Sequence, residues 1–76
     1  MSESIIAMRS ETLAVKALRL LTRYGIRVRI ISVDPALTSR GCSVGIAMNS
    51  YDVKRAEALL AAAQISYGEV LGPRMT

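Results

Sequence analysis

The segment IAMRS at residues 6–10 recurs forty residues later as IAMNS at residues 46–50, with four of the five positions identical. Each copy is a short apolar run that ends where a helix could begin. A Leu-Leu pair then precedes an Ile in both halves, and the spacing is the same: Ile26 follows Leu21, and Ile65 follows Leu60, by five residues. The chain is therefore interpreted as two copies of strand, helix and strand, with chance similarity in an Ala- and Leu-rich sequence as the alternative.

Helical periodicity follows each copy of the repeat. The first helix is predicted over residues 11–24, with Ser10 as its N-cap and Gly25 in the left-handed position after its last turn. The second helix is predicted over residues 51–63, capped by the Asn-Ser pair that ends the second copy. Its buried face is expected to hold Val53, Ala56, Leu60 and Ala63.

Strand periodicity appears directly after the first helix. Residues 26–33 alternate aliphatic and polar side chains, with Arg27 and Arg29 on the face opposite the first aliphatic ones. Ile31 and Val33 fall on the same face as these two arginines. That face is therefore expected to be cationic at one end and apolar at the other.

The order of the elements defines the fold class. Further strands at residues 44–48 and 65–71 complete a β-α-β-β-α-β sequence. Two βαβ units joined in this way give an α+β, ferredoxin-like fold, with a four-stranded antiparallel sheet and both helices on one face. We expect the other face of the sheet to meet a partner or a second subunit.

The chain is long enough for one small domain. Its 76 residues, at 8.2 kDa, are expected to form a single domain over residues 1–76, with an ordered core over about residues 5–71 and a frayed C-terminal tail. Hydrophobic side chains make up 51% of the chain, which excludes intrinsic disorder as its main state. A domain of this size buries only about 60% of its unfolded surface, so a homodimer is a further expectation.

The composition excludes several classes of chemistry. The sequence lacks His, the commonest general base and metal ligand, which argues against hydrolase and zinc chemistry. Its single Cys, Cys42, allows neither an internal disulfide nor a metal site built from Cys alone. No phosphate-binding Gly loop or carboxylate dyad can be assembled. We accordingly expect a protein that binds no metal or cofactor and is not itself an enzyme.

Charge and hydropathy bear on the partner of the protein and on its cellular compartment. Ten basic residues against six acidic ones give a net charge of +4, which favours an anionic partner without identifying it. No apolar run is long enough to span a bilayer, and the N-terminal residues lack the basic and apolar regions of a signal peptide. The sequence predicts a cytoplasmic protein in a reducing compartment, without a membrane partner.

The loop between the second and third strands, residues 34–43, carries the distinctive chemistry, and we call it the Cys42 loop. It places the Cys42 thiol just before the start of the third strand, beside a cation, hydroxyls and a flexible glycine. The residues expected to support the thiol are Thr38, Ser39, Arg40, Gly41 and Ser43. A neighbouring cation and hydrogen-bond donors to sulfur lower the pKa of a Cys thiol and favour a nucleophilic thiolate. The alternative is that Cys42 is a small buried apolar residue without a chemical role.

Two motifs flank this loop. Residues 25–31 read GIRVRII, and residues 42–48 read CSVGIAM. Together with the Ala- and Leu-rich first helix and the Pro, Thr and Ser of the loop, they make the chain resemble the family of putative selenium/sulfur carrier protein-like domains over about residues 5–71. One difference is that Ser43 stands where members of that family commonly have Gly.

The resemblance implies a carrier function. Cys42 would accept sulfur or selenium as a persulfide or perselenide from a donor of the cysteine or selenocysteine lyase type and deliver it to an acceptor enzyme. A basic surface would steer docking to these partners, and the residues expected to form it are Arg19, Arg23, Arg27 and Arg29.

Two alternative functions give Cys42 no chemical role. A binding module could use the Arg-rich sheet face for RNA or an acidic protein, but only Tyr67 lies on a predicted strand as a stacking aromatic, so nucleic acid is not the expected partner. A dimeric assembly module would instead pair Ile31 and Val33 across two subunits, with the Cys incidental.

Overall fold

A computed structural model describes residues 2–74, which form four strands and two helices. In chain order, the elements are β1 (Glu3–Met8), α1 (Glu11–Arg23), β2 (Val28–Ser32), β3 (Val44–Asn49), α2 (Val53–Ala62) and β4 (Val70–Arg74). The predicted β-α-β-β-α-β order is confirmed. Within the described part of the chain, neither helix has the length and apolar character needed to cross a membrane.

The four strands form one antiparallel sheet in the order β2-β3-β1-β4. The central pair is β1 with β3, and Ile6 of β1 lies directly opposite Ile46 of β3. These two residues occupy equivalent positions in the sequence repeat, so the two copies of the repeat lie side by side at the centre of the sheet.

The main core lies between the helices and one face of this sheet. Leu21 of α1 and Leu60 of α2 are fully buried in one cluster with Ile6 and Ile46. The other buried members of the cluster are Met8, Ala14, Ala17, Ile26, Met48 and Ala56. Both helices therefore cover the same face, and the predicted ferredoxin-like fold is confirmed.

The ends of α1 follow the predicted capping residues. Ser10 Oγ accepts a hydrogen bond from the main-chain N–H of Leu13 at 3.1 Å. After the helix, Gly25 has a φ of +82°, in the left-handed region that glycine adopts without a steric penalty. Local sequence signals therefore place this helix within one residue of its observed boundaries.

The second helix is shorter than predicted. Asn49 Oδ1 accepts a hydrogen bond from Tyr51 N–H at 3.4 Å, and the chain forms a 3₁₀ turn over Ser50–Asp52 before α2 begins. Of the four side chains predicted to be buried, Ala56 and Leu60 are buried. Val53 is half-buried, and Ala63 is exposed.

The predicted boundaries of the last strand, residues 65–71, are wrong. After α2, Gln64 takes a left-handed φ of 58°, and the N–H of Ile65 donates to Leu60 O at 2.9 Å, so this segment still belongs to the helix end. β4 begins at Val70 and extends to Arg74, including part of the tail predicted to fray. The last two residues of that tail lie outside the described residues.

A second, smaller apolar cluster lies on the face of the sheet that the helices leave uncovered. This open-face cluster consists of Ile5, Ile31, Val33, Ala47 and Leu71. Gly45 leaves room for it, because a Cβ at this position would lie only 2.9 Å from the Cγ2 atoms of both Ile5 and Val33. The apolar end of the open face is therefore a packed cluster rather than scattered side chains.

The difference between core and surface leucines can be measured. Leu21→Ala is expected to lower the free energy of unfolding by about 2–5 kcal/mol, because it leaves a cavity in the core. Leu37→Ala makes the same chemical change at a side chain that is 59% exposed, and serves as the matched control. Urea unfolding followed by circular dichroism compares the two variants, and equal losses would contradict the described core.

Candidate functional site

Local hydrogen bonds shape the Cys42 loop from its first residue. Asp34 Oδ1 accepts a hydrogen bond from the N–H of Ala36 at 3.0 Å, which starts the 3₁₀ turn Pro35–Leu37. At the base of the loop, Val33 N–H donates to Ser43 O at 2.9 Å. The loop therefore begins with a turn at Asp34 and Pro35, and it leaves and rejoins the sheet at adjacent points.

Thr38 supports the main chain at Cys42. Thr38 Oγ1 accepts a hydrogen bond from the N–H of Cys42 at 2.7 Å and donates one to Pro35 O at 3.3 Å. Between the two, Gly41 has a φ of +67°, which allows the chain to reverse. Thr38 and Cys42 are buried while the three residues between them are exposed, so the loop turns both side chains inward.

The Cys42 thiol packs against the segment that precedes β4. A Cβ added at Gly68 would lie 3.4 Å from Cys42 Sγ. Gly68 N–H donates to Ala7 O at 2.7 Å, and Ala7 N–H donates to Glu69 O at 2.8 Å, so this segment continues the pairing of β4 with β1. Cys42 as a whole residue is 7% exposed and lies at one end of the sheet, so it is buried, as the alternative of a packing residue predicts.

Ser39 and Glu69 join the Cys42 loop to that same segment. The main-chain N–H and the hydroxyl of Ser39 both donate to Oε1 of Glu69. These two hydrogen bonds hold the pKa of the Glu69 carboxyl below its usual value; desolvation opposes them, and the positive charge of Arg40 adds a smaller lowering effect. The carboxylate is therefore the form that the contact favours.

A pocket of about 200 Å³ opens beside the thiol. Its lining residues are Arg9, Ser39, Arg40, Cys42, Tyr67, Gly68 and Glu69. Four of these were not predicted as site residues: Arg9, Tyr67, Gly68 and Glu69. They come from the end of β1 and the segment before β4, which no local signal around Cys42 marks. Within residues 2–74, no three Cys, Asp or Glu side chains lie close enough together to hold a metal ion.

Tyr67 forms one wall of this pocket and keeps its hydroxyl hydrogen-bonded. The hydroxyl donates to Glu57 Oε2 at 3.2 Å. Burial, and then the hydrogen bond and negative charge of Glu57, raise the pKa of Tyr67 above its usual value. The phenol therefore stays protonated at neutral pH, which fits a structural wall better than a proton donor in a reaction.

The residues predicted to support the thiol divide into two sets. Ser39 and Arg40 line the pocket, while Thr38 and Gly41 shape the chain behind it. Ser43 instead lines a different pocket, together with Ser32 and Val44. The serine that differs from the usual glycine of the resembled family is therefore outside the pocket of the thiol.

The four arginines predicted as a docking surface lie in two layers. Arg19 and Arg23 project from α1 on the helix side of the sheet and are exposed. Arg29 lies on the opposite face, where its two terminal nitrogens pair with the carboxylate of Glu3 at 2.7 and 2.8 Å. Arg27 is exposed just before β2. The sheet separates the first two arginines from Arg29.

The distance along the sheet also separates Arg27 and Arg29 from the thiol. Val28 lies opposite Met48 and Ser32 lies opposite Val44, so the start of β2 is at the far end of β3 from Cys42. The cations that line the pocket of the thiol are Arg9 and Arg40. A partner that binds at the thiol would therefore meet these two charges first.

Thr38→Val tests the support of the main chain at Cys42. The substitution removes the acceptor and leaves the buried Cys42 N–H without its partner, so the free energy of unfolding is expected to fall by about 1–3 kcal/mol. Thr38→Ser retains the hydroxyl and should lose less. Urea unfolding compares both variants with the wild type, and equal stability of the Val variant and the wild type would contradict this role of the hydroxyl.

Ser39→Ala tests the origin of the lowered pKa of Glu69. With the hydroxyl removed, the Glu69 pKa is expected to rise towards its usual value, as measured by ¹³C NMR titration. Because the folded-state pKa is lowered, the contact stabilises the fold above the unfolded-state pKa, and this contribution disappears as the pH falls through the folded-state value. An unchanged Glu69 pKa in the variant would show that the Ser39 hydroxyl does not contribute to the lowered pKa.

Comparison with known proteins identifies a family. No curated protein and no solved structure matches the chain. A family model described as putative Se/S carrier protein-like matches residues 3–71, from β1 through the Cys42 loop to the second residue of β4. Because the match includes nearly the whole fold and its single cysteine, the chain belongs to the putative Se/S carrier protein-like family.

Proposed function

We propose that the protein carries sulfur or selenium on Cys42, as a persulfide or perselenide, from a donor enzyme to an acceptor enzyme. The observation that carries this proposal is the family match over residues 3–71, within which Cys42 is the only thiol of the chain. The protein would act as a carrier that other enzymes load and unload, rather than as an enzyme.

The transfer reaction follows from thiol chemistry. The Cys42 thiolate attacks the outer sulfur of a persulfide on the donor, forms an Sγ–S bond and breaks the S–S bond of the donor. The donor cysteine leaves as a thiolate and takes up a proton. Delivery repeats the exchange, with an acceptor thiolate attacking the outer sulfur and Cys42 leaving. Selenium would be transferred by the corresponding steps.

The pocket offers space for the added atom. It opens beside Cys42, and the missing Cβ of Gly68 leaves room against Sγ. Arg9 and Arg40 at this pocket favour an anionic terminal atom such as a persulfide anion over a neutral one. Since Cys42 is only 7% exposed as a residue, a donor must approach its thiol through this pocket or move the Cys42 loop.

Partners of two kinds belong to this proposal: a donor of the cysteine or selenocysteine lyase type and an acceptor enzyme. The exposed arginines on α1 and before β2 would provide attraction to acidic surfaces on them. Arg29 would contribute less, because Glu3 already neutralises its charge. Docking controlled by exposed charges would weaken at high salt.

A dimeric assembly module is the second candidate, and the open-face cluster favours it. Beside that cluster, an apolar groove of about 530 Å³ is lined partly by Ile5, Val33 and Leu37. Leu37 is 59% exposed, which is high for a leucine. In this case Cys42 would be an inert packing residue. RNA binding has less support, since all three tyrosines lie outside the strands of the described chain.

Intact mass spectrometry tests the carrier proposal. The protein is incubated with a cysteine or selenocysteine lyase and its substrate, then measured without reductant. A mass gain of one sulfur or selenium atom is expected, because Cys42 accepts the atom that the lyase releases. Reductant should remove the gain, and Cys42→Ser, which keeps the size of the side chain but not the sulfur, should never show it.

The same experiment can reject the proposal. If neither lyase loads the protein, and the thiol of the folded protein also resists a small persulfide donor, Cys42 is a packing residue. The assembly module then becomes the better account, and the oligomeric state in solution becomes the quantity to measure.

A further inference from the structure

The contact between Ser39 and Glu69 has no part in the transfer chemistry, and the way it is built points to another use. Two donors of Ser39, the main-chain N–H and the hydroxyl, converge on one carboxylate oxygen. The two residues are thirty positions apart and belong to different segments. Hydrogen bonds to a charged acceptor are stronger than those between neutral groups, so this contact attaches the exposed loop to the segment before β4.

The attachment lies at the pocket of the thiol. Ser39 precedes Cys42 by three residues in the Cys42 loop, and Glu69 follows Gly68, the residue against which Sγ packs. The contact therefore holds the two sides of the thiol pocket together, one from the loop and one from the segment before β4. Ser39, Cys42 and Glu69 line the same pocket.

The cover over the thiol is thin. Ser39, Arg40 and Gly41 are exposed, although Cys42, which follows them in the chain, is buried. The hydrogen bond from Cys42 N–H to Thr38 Oγ1 lies within the loop, so it moves with the loop and does not attach it to the sheet. Gly41, with its left-handed φ, provides a flexible point between Ser39 and the thiol.

We propose that the Ser39–Glu69 contact is a latch that keeps the Cys42 thiol covered, and that opening it exposes the thiol for exchange. Ser39 and Glu69 are then positioning residues for the carrier thiol. The biological meaning of the latch rests on the proposed carrier function, because a thiol that must stay unreacted between donor and acceptor benefits from a cover. The physical effect, control of access to Sγ, does not depend on that function.

Alkylation kinetics of Cys42 test the latch. Ser39→Ala removes the hydroxyl but keeps the charge of Glu69, so it loosens the loop without changing the charges around the thiol. The rate of reaction with iodoacetamide is measured across a pH profile, and the plateau at high pH reports access independently of the thiol pKa. The plateau is expected to rise several-fold, up to about tenfold, in Ser39→Ala. Ser39→Thr retains a hydroxyl and should react close to the wild-type rate.

Two control variants separate the latch from other causes of faster reaction. Ser43 is exposed, directly follows Cys42 in the chain, and accepts a hydrogen bond from Val33 N–H with its main-chain carbonyl oxygen. Ser43→Ala removes the hydroxyl and keeps this carbonyl, so the variant should not change the plateau. Leu21→Ala destabilises the whole fold at a site in the main core. If alkylation of Ser39→Ala and of Leu21→Ala rises in the same proportion to the loss of unfolding free energy in each variant, the thiol is exposed by global unfolding and the latch is refuted.

An unchanged plateau in Ser39→Ala also overturns the latch. The lyase loading assay on the same variant distinguishes this failure from that of the carrier proposal. Normal loading with unchanged alkylation removes the latch and leaves the carrier. Faster alkylation without any loading, in the variant and in the wild type, supports the latch and removes the carrier.

Discussion

The antiparallel pairing of β1 with β3 is the interaction on which the rest of the structure depends. Its helix-facing side chains, with Ile6 opposite Ile46, form the floor of the main core, onto which Leu21 and Leu60 pack from the two helices. A core of this size in a small domain leaves little stability to spare. On the open face, Gly45 leaves the space that the smaller cluster fills, so both layers depend on this central pair.

The same pairing places the cysteine. The end of β1 and the start of β3 lie at the same end of the sheet, where Met8 is opposite Val44. The Cys42 loop enters β3 at this end, and the segment before β4 forms hydrogen bonds with Ala7 next to it. A thiol, two arginines and a hydrogen-bonded carboxylate therefore meet at this end of the sheet, although they come from three separate parts of the chain. The carrier and latch proposals both concern this end of the sheet.

The sequence predicts the fold well and the site only in part. Repeat spacing, helix caps and period-two alternation are local signals, and they identify the element order and the two faces of β2. The last strand was misplaced because the left-handed Gln64 and the pairing of residues 68–69 with Ala7 depend on tertiary contacts. Glu69 and Arg9 escaped prediction for the same reason, since their proximity to Cys42 results from strand pairing rather than from sequence spacing.

The central claim is that Cys42 carries a chalcogen atom. Trypsin cleavage after Arg40 and Lys54 releases the thiol on a single peptide, residues 41–54, which tandem mass spectrometry can sequence. The protein is purified from cells without reductant and its free thiols are alkylated before digestion. We expect a fraction of this peptide to carry one additional sulfur or selenium atom on Cys42. Only the simple alkylated thiol, in cells that contain an active cysteine or selenocysteine lyase, would contradict it.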